Sequence, residues 1–325
     1  MTPEISVVIP NWNGIHLLPT CLRSLHAQRF KDFEVIVSDD GSTDDSPDLI
    51  ARDYPEVRLL RSPANRGFCQ AANAGLRASR GRLVMLLNND TEADPECLGE
   101  LAAAMNADKS LGICAAKLVY SDDPSLINAA GHACRPDGVV VDIGRGRPDG
   151  EWFSTPREVL GGSGGAVLYR RRMLDEIGLF DPAFITSVED VDLDWRAQWA
   201  GWRAAYVPTA VVKHREGISR EITGPRAIFL GLRNTAFVWV KDWPVPSLVR
   251  HFGDMWRGLC ANTFSSIRRG YAGLLPAVVW SLLVHMPRMM SRRRRLRRSR
   301  RVPPARFEAM LALGAQQTRQ SQEHR

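Results

Sequence analysis

The sequence predicts an α/β protein: a mostly parallel central sheet flanked by helices, with a helical appendage at its carboxyl end. Short all-apolar runs recur between residues 5 and 87, separated by stretches of helical period. Several of these runs stop at turns rich in Asp and Asn, and beyond Pro225 the composition changes to Trp-, Leu- and Met-rich segments closed by an arginine run. Short apolar runs bounded by turn residues and alternating with helices read as parallel strands covered on both faces.

Residues 5–9 form the first strand, and residues 16–28 a helix whose apolar face is Leu17, Leu18, Cys21, Leu22 and Leu25. A second strand covers 33–38, a helix 46–54 with Asp44, Asp45 or Ser46 as its cap, and a third strand 57–60. A helix over 67–79 leads to the fourth strand, 83–87. The pattern then loosens. Residues 95–107 read as a helix and 113–120 as a strand, while 121–160 read as loops and short antiparallel strands. The glycine run 161–165 precedes a strand over 166–170; a helix over 190–201 carries Val191, Trp195 and Trp199, and a strand covers 203–207 before Pro208. A helix over 226–240 bears Arg233 and Asn234, apolar segments cover 249–267 and 271–290, and the final polar residues read as a frayed tail.

At 325 residues the chain has room for one large α/β domain and an appendage. Its 44% apolar and 24% charged residues are those of an ordinary globular protein. The apolar stretch at 5–9 is too short for a leader. Six scattered cysteines without a Cys-x-x-Cys pair point to free thiols in a reducing, cytosolic compartment. The net charge of +7 is local: residues 288–301 hold nine arginines and no acid, and subtracting them leaves −2. One basic segment on a near-neutral body argues for a local electrostatic contact and against a nucleic-acid-binding surface.

The acidic turns carry the chemistry. Ligands of parallel sheets collect at the strands' carboxyl ends, and carboxylates gathered there without matching lysines need a divalent cation or a hydroxyl-rich ligand. In Pro10-Asn11-Trp12-Asn13, Trp12 offers a π-face to a base and the amides offer hydrogen bonds; a plain Asx-turn also fits. Asp40 can accept from a base N–H or a ribose hydroxyl, and Gly41 permits close backbone approach. Arg66 and Gly67 open a helix bearing Asn73, an arrangement suited to phosphate or to a solvent-facing Arg. Asn88-Asn89-Asp90 ends the fourth strand, where Asp90 can hold Mg²⁺ or Mn²⁺ together with diphosphate oxygens, and His214 can complete the shell. Glu189 and Asp190 open a helix and offer either a general base or N-terminal caps. Trp195 and Trp199 also fit a core stripe.

Six motifs in order resemble the inverting family 2 glycosyltransferases of GT-A fold, in their rhamnosyltransferase-like branch. They are Val7 to Asn13, Cys21 to Leu25, Val35 to Asp44, Asn65 to Phe68 with Asn73 to Gly75, Leu86 to Asp90, and Gly178 to Asp181 followed by Glu189 to Arg196. The resemblance covers residues 4 to about 240 and implies a catalytic domain over 1–225. It implies that Pro10, Asn11, Trp12, Asn13, Asp40, Gly41, Arg66, Gly67, Asn73, Asn88, Asn89 and Asp90 bind a nucleotide-diphosphate sugar donor (dTDP- or UDP-linked, dTDP-rhamnose among them). Asp90 and His214 would hold the divalent cation, Asp190 would be the general base with Glu189 beside it, and Gly162, Ser163, Gly164, Trp195 and Arg196 would face a glycan or lipid-linked acceptor. The metal motif departs from the family's Asp-x-Asp by carrying Asn at its first two positions.

A dinucleotide oxidoreductase would need Gly-x-Gly-x-x-Gly after the first strand, which is absent. A nucleotidyltransferase using the same metal rim, or a catalytically silent nucleotide-sugar-binding scaffold, shares the remaining features. Residues 226–290 read as a helical region and 291–325 as an Arg-rich segment with a flexible tail. The segment 271–290 falls short of the roughly 18–20 apolar residues of a spanning helix. Together with the run from Arg292 to Arg301 it suits peripheral attachment to the anionic cytoplasmic face of a cell membrane.

Overall fold

In the computed structural model, which describes residues 2–215, 218–268, 271 and 273–323, β1 (Ile5–Asn11), β2 (Phe33–Asp39), β3 (Arg58–Arg61) and β4 (Leu83–Leu87) alternate with α1 (Leu18–His26), α2 (Ser46–Asp53) and α3 (Phe68–Ala78). β1 and β4 are buried along their whole length. The pleat divides them between two cores: Ile5, Val7 and Ile9 face one with Leu18, Cys21 and Leu25, while Val8, Val84 and Leu86 face the other with Cys69 and Leu76. All-apolar runs are therefore required here, because both faces are covered.

The chain continues through β5 (Thr91–Ala93), α4 (Cys97–Ala107) and β6 (Leu111–Tyr120), then four short strands, β7 (Leu126–Ala129), β8 (His132–Cys134), β9 (Val140–Asp142) and β10 (Arg147–Pro148). After β11 (Arg157–Val159) come β12 (Ala166–Arg170), α5 (Arg171–Ile177), α6 (Glu189–Trp199) and β13 (Arg203–His214). The main sheet runs β10-β7-β6-β12-β4-β1-β2-β3. It is parallel through β4-β1-β2-β3, whereas β12 lies antiparallel to both β4 and β6. The strand expected to stop at Val207 continues to His214. A register shift between Val207 and Val211 absorbs Pro208, and parallel pairing with β6 resumes beyond it.

Five helices complete the chain: α7 (Ile218–Asp242), α8 (Val245–Arg250), α9 (Phe252–Arg268), α10 (Leu274–Ser299) and α11 (Pro304–Glu323). α7 is interrupted at Gly224, where φ is +41°, directly before Pro225, the boundary expected from composition. Part of the expected apolar segments, the side chains at 259 and 261–267 and residues 269, 270 and 272, lies outside the described residues. Two expectations for this region, and one for α6 beside it, need correction. α10 is one continuous helix through both the apolar segment and most of the arginines, and it is long and apolar enough to cross a membrane. The polar tail is not free: α11 buries Phe307, Met310 and Leu311. And Trp195, expected at the acceptor side, is in the core, stacked on Phe307 at 4.4 Å with Trp199 at 5.5 Å and Trp243 edge-on at 4.9 Å.

This aromatic cluster ties α11 to α6, the helix that begins with Glu189 and Asp190. Phe307→Ala should cost about 3–5 kcal/mol in urea denaturation, the usual range for deleting a buried Phe. A change within about 0.5 kcal/mol, as for a surface site, would contradict the packing.

Candidate active site

The carboxyl ends of β1, β2 and β4 and the start of α3 frame a cavity of about 510 Å³. Pro10, Asn11, Trp12, Asn13, Asp40, Gly67, Asn88, Asn89 and Asp90 all line it. Trp12 is 40% exposed, leaving a ring face open to a planar ligand. Asn11 organises the rim. Its amide donates to Asp39 Oδ1 at 3.0 Å and Ser46 Oγ at 3.1 Å, and its oxygen accepts from Asn89 Nδ2 at 2.8 Å. Asp40 accepts from the backbone N–H of Arg66 at 3.0 Å and of Gly67 at 2.7 Å, which docks the start of α3 against β2.

Asp90 and His214 meet at the next strand ends, with His214 Nε2 3.3 Å from Asp90 Oδ1. The other ring nitrogen, Nδ1, lies 3.0 Å from Asn128 Oδ1. When Nδ1–H donates to that amide oxygen, Nε2 presents a lone pair to a buried carboxylate oxygen that has no hydrogen-bond partner. Two facing acceptors fit a cation between them. No group of three or more His, Cys, Asp or Glu suited to a metal occurs among the described residues, so a cation here would take its remaining ligands from substrate oxygens or water.

The glycine run connects this pair to α6. Gly165 O accepts from Asn88 N at 2.9 Å, and a Cβ on Gly165 would lie 3.5 Å from His214 Cε1. One residue earlier, Gly164 N donates to Asp190 Oδ2 at 3.0 Å. Asp190 is therefore bonded to the turn whose next residue, Gly165, passes His214. Glu189 beside it is buried, and Oε2 has no partner. Burial first and the Asp190 charge second push its carboxyl up to about 8, so it is the neutral member of the pair at pH 7.

The structure thus places Asp40 and Asp90 on the wall of one cavity and His214 against Asp90, with Asp190 bonded to Gly164 N beyond the turn; His214, Glu189 and Asp190 do not line the cavity itself. Other expectations it corrects. Gly41 is absent from the cavity wall; at φ +72° it lets the chain at Ala64 pass where a Cβ would sit 2.6 Å from backbone. The Arg66 guanidinium is exposed and does not line the cavity; only its N–H acts, on Asp40. Asn73 is buried inside the fold, exchanging hydrogen bonds with Phe180 O at 2.8 Å and Phe180 N at 3.0 Å. Arg196 is buried on Asp192 at 2.9 Å and on the carbonyls of Ile177, Gly178 and Leu179, so it faces no acceptor. Of the glycine run, Gly164 contacts Asp190, while Gly162 packs on Ala115.

Sequence reasoning missed Ile185, Thr186, Arg226 and Leu230, which also line the cavity. It also missed His132, whose Nε2 is 3.9 Å from Asp190 Oδ2. No periodic signal marks the loop at 185–188; Arg226 stands at the composition change after Pro225 and could have been found there.

The family model described as "Glycosyl transferase family 2" matches residues 6–178. An N-acetylglucosaminyl-diphospho-decaprenol L-rhamnosyltransferase from Mycobacterium tuberculosis (strain ATCC 25618 / H37Rv) is 28% identical over 329 residues, covering 91% of this chain and 98% of that one. The mannosyltransferase PcManGT from Pyrobaculum calidifontis, solved with GDP-Man and Mn²⁺, superposes with a TM-score of 0.57 at 17% identity, over 99% of this chain and 89% of that one. TarS 1-349 from S. aureus, solved with UDP, gives 0.58 at 18% identity, over 99% and 93%. These structural likenesses show the GT-A fold.

A proton held by Glu189 more tightly in the folded than in the unfolded chain stabilises the fold fully below about pH 4.5, and this contribution is lost as pH rises through about 8. Glu189→Gln should flatten that part of the decline, read from urea melts at stepped pH. Equal slopes for variant and wild type would contradict a buried neutral acid.

Proposed function

The chain belongs to glycosyl transferase family 2, a family of glycosyltransferase enzymes, and from this we propose that it is an inverting enzyme. It transfers a sugar from a nucleotide-diphosphate donor, dTDP-rhamnose being the reading favoured by the rhamnosyltransferase relative, to a glycan or lipid-linked acceptor of cell-envelope polysaccharide. The observation that carries the proposal is the turn Ser163–Gly165, where Gly164 N donates to Asp190 Oδ2 at 3.0 Å and the next residue, Gly165, passes His214, the neighbour of Asp90.

In this reading the base packs on Trp12 with Asp40 at its edge, and the diphosphate lies toward Asn88, Asn89 and Asp90. Arg226 on the opposite wall adds positive charge beside the leaving group. A divalent cation held by Asp90 and His214 would offset the charge of the departing diphosphate. Asp190 takes the proton of the acceptor hydroxyl as that oxygen attacks the anomeric carbon; the carbon–oxygen bond to phosphate breaks on the opposite face, and the configuration inverts. Neutral Glu189 adds no competing negative charge beside the base. The Mn²⁺ in the PcManGT structure supports the cation, as does the orphaned Asp90 Oδ1.

The same reading puts the protein on the cytoplasmic face of a membrane. On α10 the side chains of Val279, Trp280, Leu283 and Val284 are exposed, and Arg294, Arg295, Arg297 and Arg298 follow on its last turns, also exposed. Apolar area combined with a basic cluster suits an anionic interface.

Asp190→Asn should lower transfer by about 10²–10⁴-fold, the usual contribution of a general base. Nucleoside-diphosphate affinity in the presence of Mn²⁺, measured by titration calorimetry, should stay within a few-fold of wild type. Transfer at an undiminished rate would remove Asp190 from that role.

A further inference from the structure

His132 opens β8 and is buried, and three acids approach its ring nitrogens, one of them, Asp142, also paired with Arg145 at 2.9 Å. Its Nδ1 lies 2.8 Å from Asp194 Oδ2; its Nε2 lies 3.4 Å from Asp142 Oδ1 and 3.9 Å from Asp190 Oδ2. Asp190 and Asp194 come from α6, one turn apart, and Asp142 comes from β9 across the β8–β9 hairpin. Glu189 and the Tyr169 hydroxyl, which has no partner, belong to the same acidic surroundings. A neutral imidazole carries one donor and one acceptor. With carboxylates at both nitrogens, only the doubly protonated ring gives each a hydrogen to accept.

The backbone holds the ring in this place. His132 N donates to Gly161 O at 3.0 Å, and Leu160 N donates to His132 O at 3.0 Å. A side chain on Gly161 would overlap Asp194, its Cβ falling 1.8 Å from Cγ, so the run that presents Gly164 to Asp190 also seats Asp194 under His132. Burial alone would push the His132 imidazole down; the hydrogen-bonded Asp142 and Asp194 and the nearby Asp190 outweigh it and hold the ring well above its ordinary value. Burial pushes Asp194 up to about 6 against the pull of His132, so the ring's charge is shared between acids that would otherwise repel.

We propose that His132 is a positioning residue for the transfer reaction: a buried imidazolium that orients the Asp190 carboxylate and keeps it ionised to receive the acceptor's proton. Its partners Asp194 and Asp142 hold it in place, which gives the β8–β9 hairpin a part in catalysis. This rests on Asp190 as the base.

The test is the pH profile of kcat/KM for wild type, His132→Gln and Asp142→Asn, with Asp190→Asn as reference. Loss of an opposite charge from beside a carboxylate moves its titration upward by about one to three pH units. The acid limb of His132→Gln should therefore move up within that range, and that of Asp142→Asn, where the ring keeps Asp194, should move by less. An unmoved limb in His132→Gln, whatever its loss of kcat, overturns the proposal while Asp190→Asn stays strongly impaired; an undiminished rate in Asp190→Asn overturns the base assignment itself. Should His132→Gln not fold, ¹⁵N spectra of wild-type imidazoles at pH 8 decide. Both His132 nitrogens protonated is the expected result, and a neutral tautomer overturns the proposal.

Discussion

The close passage of Gly161 over Asp194, followed by the hydrogen bond from Gly164 N to Asp190, ties the start of α6 to the ends of β4 and β13. At Gly165 the same segment pairs with Asn88 and passes His214. It leads directly into β12, which lies antiparallel between β4 and β6. This is why acids placed a hundred residues apart meet: β4 ends at the Asn88 turn, β13 ends at His214, and α6 starts beneath the glycines. A Cβ at Gly161 would overlap Asp194 and one at Gly162 would crowd Ala115, whereas at Gly164 and Gly165 it would meet its neighbours at 3.4 Å or more.

The carboxyl-terminal helices maintain the cleft from the other side. Ile185, Ser187 and Val188 hold φ values of +68°, +68° and +67°, a conformation costly for β-branched residues above all. Asn234 on α7 donates to the carbonyls of Phe184, Thr186 and Ser187 at 2.9, 2.9 and 2.7 Å, and Arg233 donates to those of Ala183 and Phe184. The strained loop thus has its carbonyls fixed by two buried side chains, and it supplies Ile185 and Thr186 to the cavity wall. Below it, Asp192 pairs with Arg196 and Lys241, Lys241 also with Asp181, and Asp181 with Arg292 of α10. Such buried pairs are weak evidence of net stability, but removing one partner leaves a charge uncompensated. Ion pairs and hydrogen bonds thus link α7 and α10 to the loop that lines the cavity.

Much of the fold was readable from the chain because β1 and β4 are buried on both faces and must be apolar throughout, and because β2 and β4 end in turns that carry Asp40 and Asp90. Asp40 and Asp90, singled out from those turns, line the cavity, and His214, singled out downstream, lies against Asp90. What stayed hidden had no period. β8 and β9 are three residues each, so His132 and Asp142 gave no pattern that could pair them. Pro208 looked like the end of a strand because a sequence does not show the bulge that accommodates it. α11 looked like a tail because Phe307, Met310 and Leu311 are a narrow stripe in a polar helix, and their partners Trp195 and Trp199 lie a hundred residues upstream. Asn73 and Arg196 were misassigned for one reason: a polar side chain on a motif looks like a ligand contact until its buried backbone partners are known.

Anomalous scattering from Mn²⁺ in crystals grown with a nucleoside diphosphate would test the assembled cleft. The account predicts one peak between Asp90 Oδ1 and His214 Nε2, bridged to the diphosphate, with the base against Trp12 and Asp40. Nucleotide bound with its diphosphate away from Asp90, or manganese at any other acidic cluster, would contradict it.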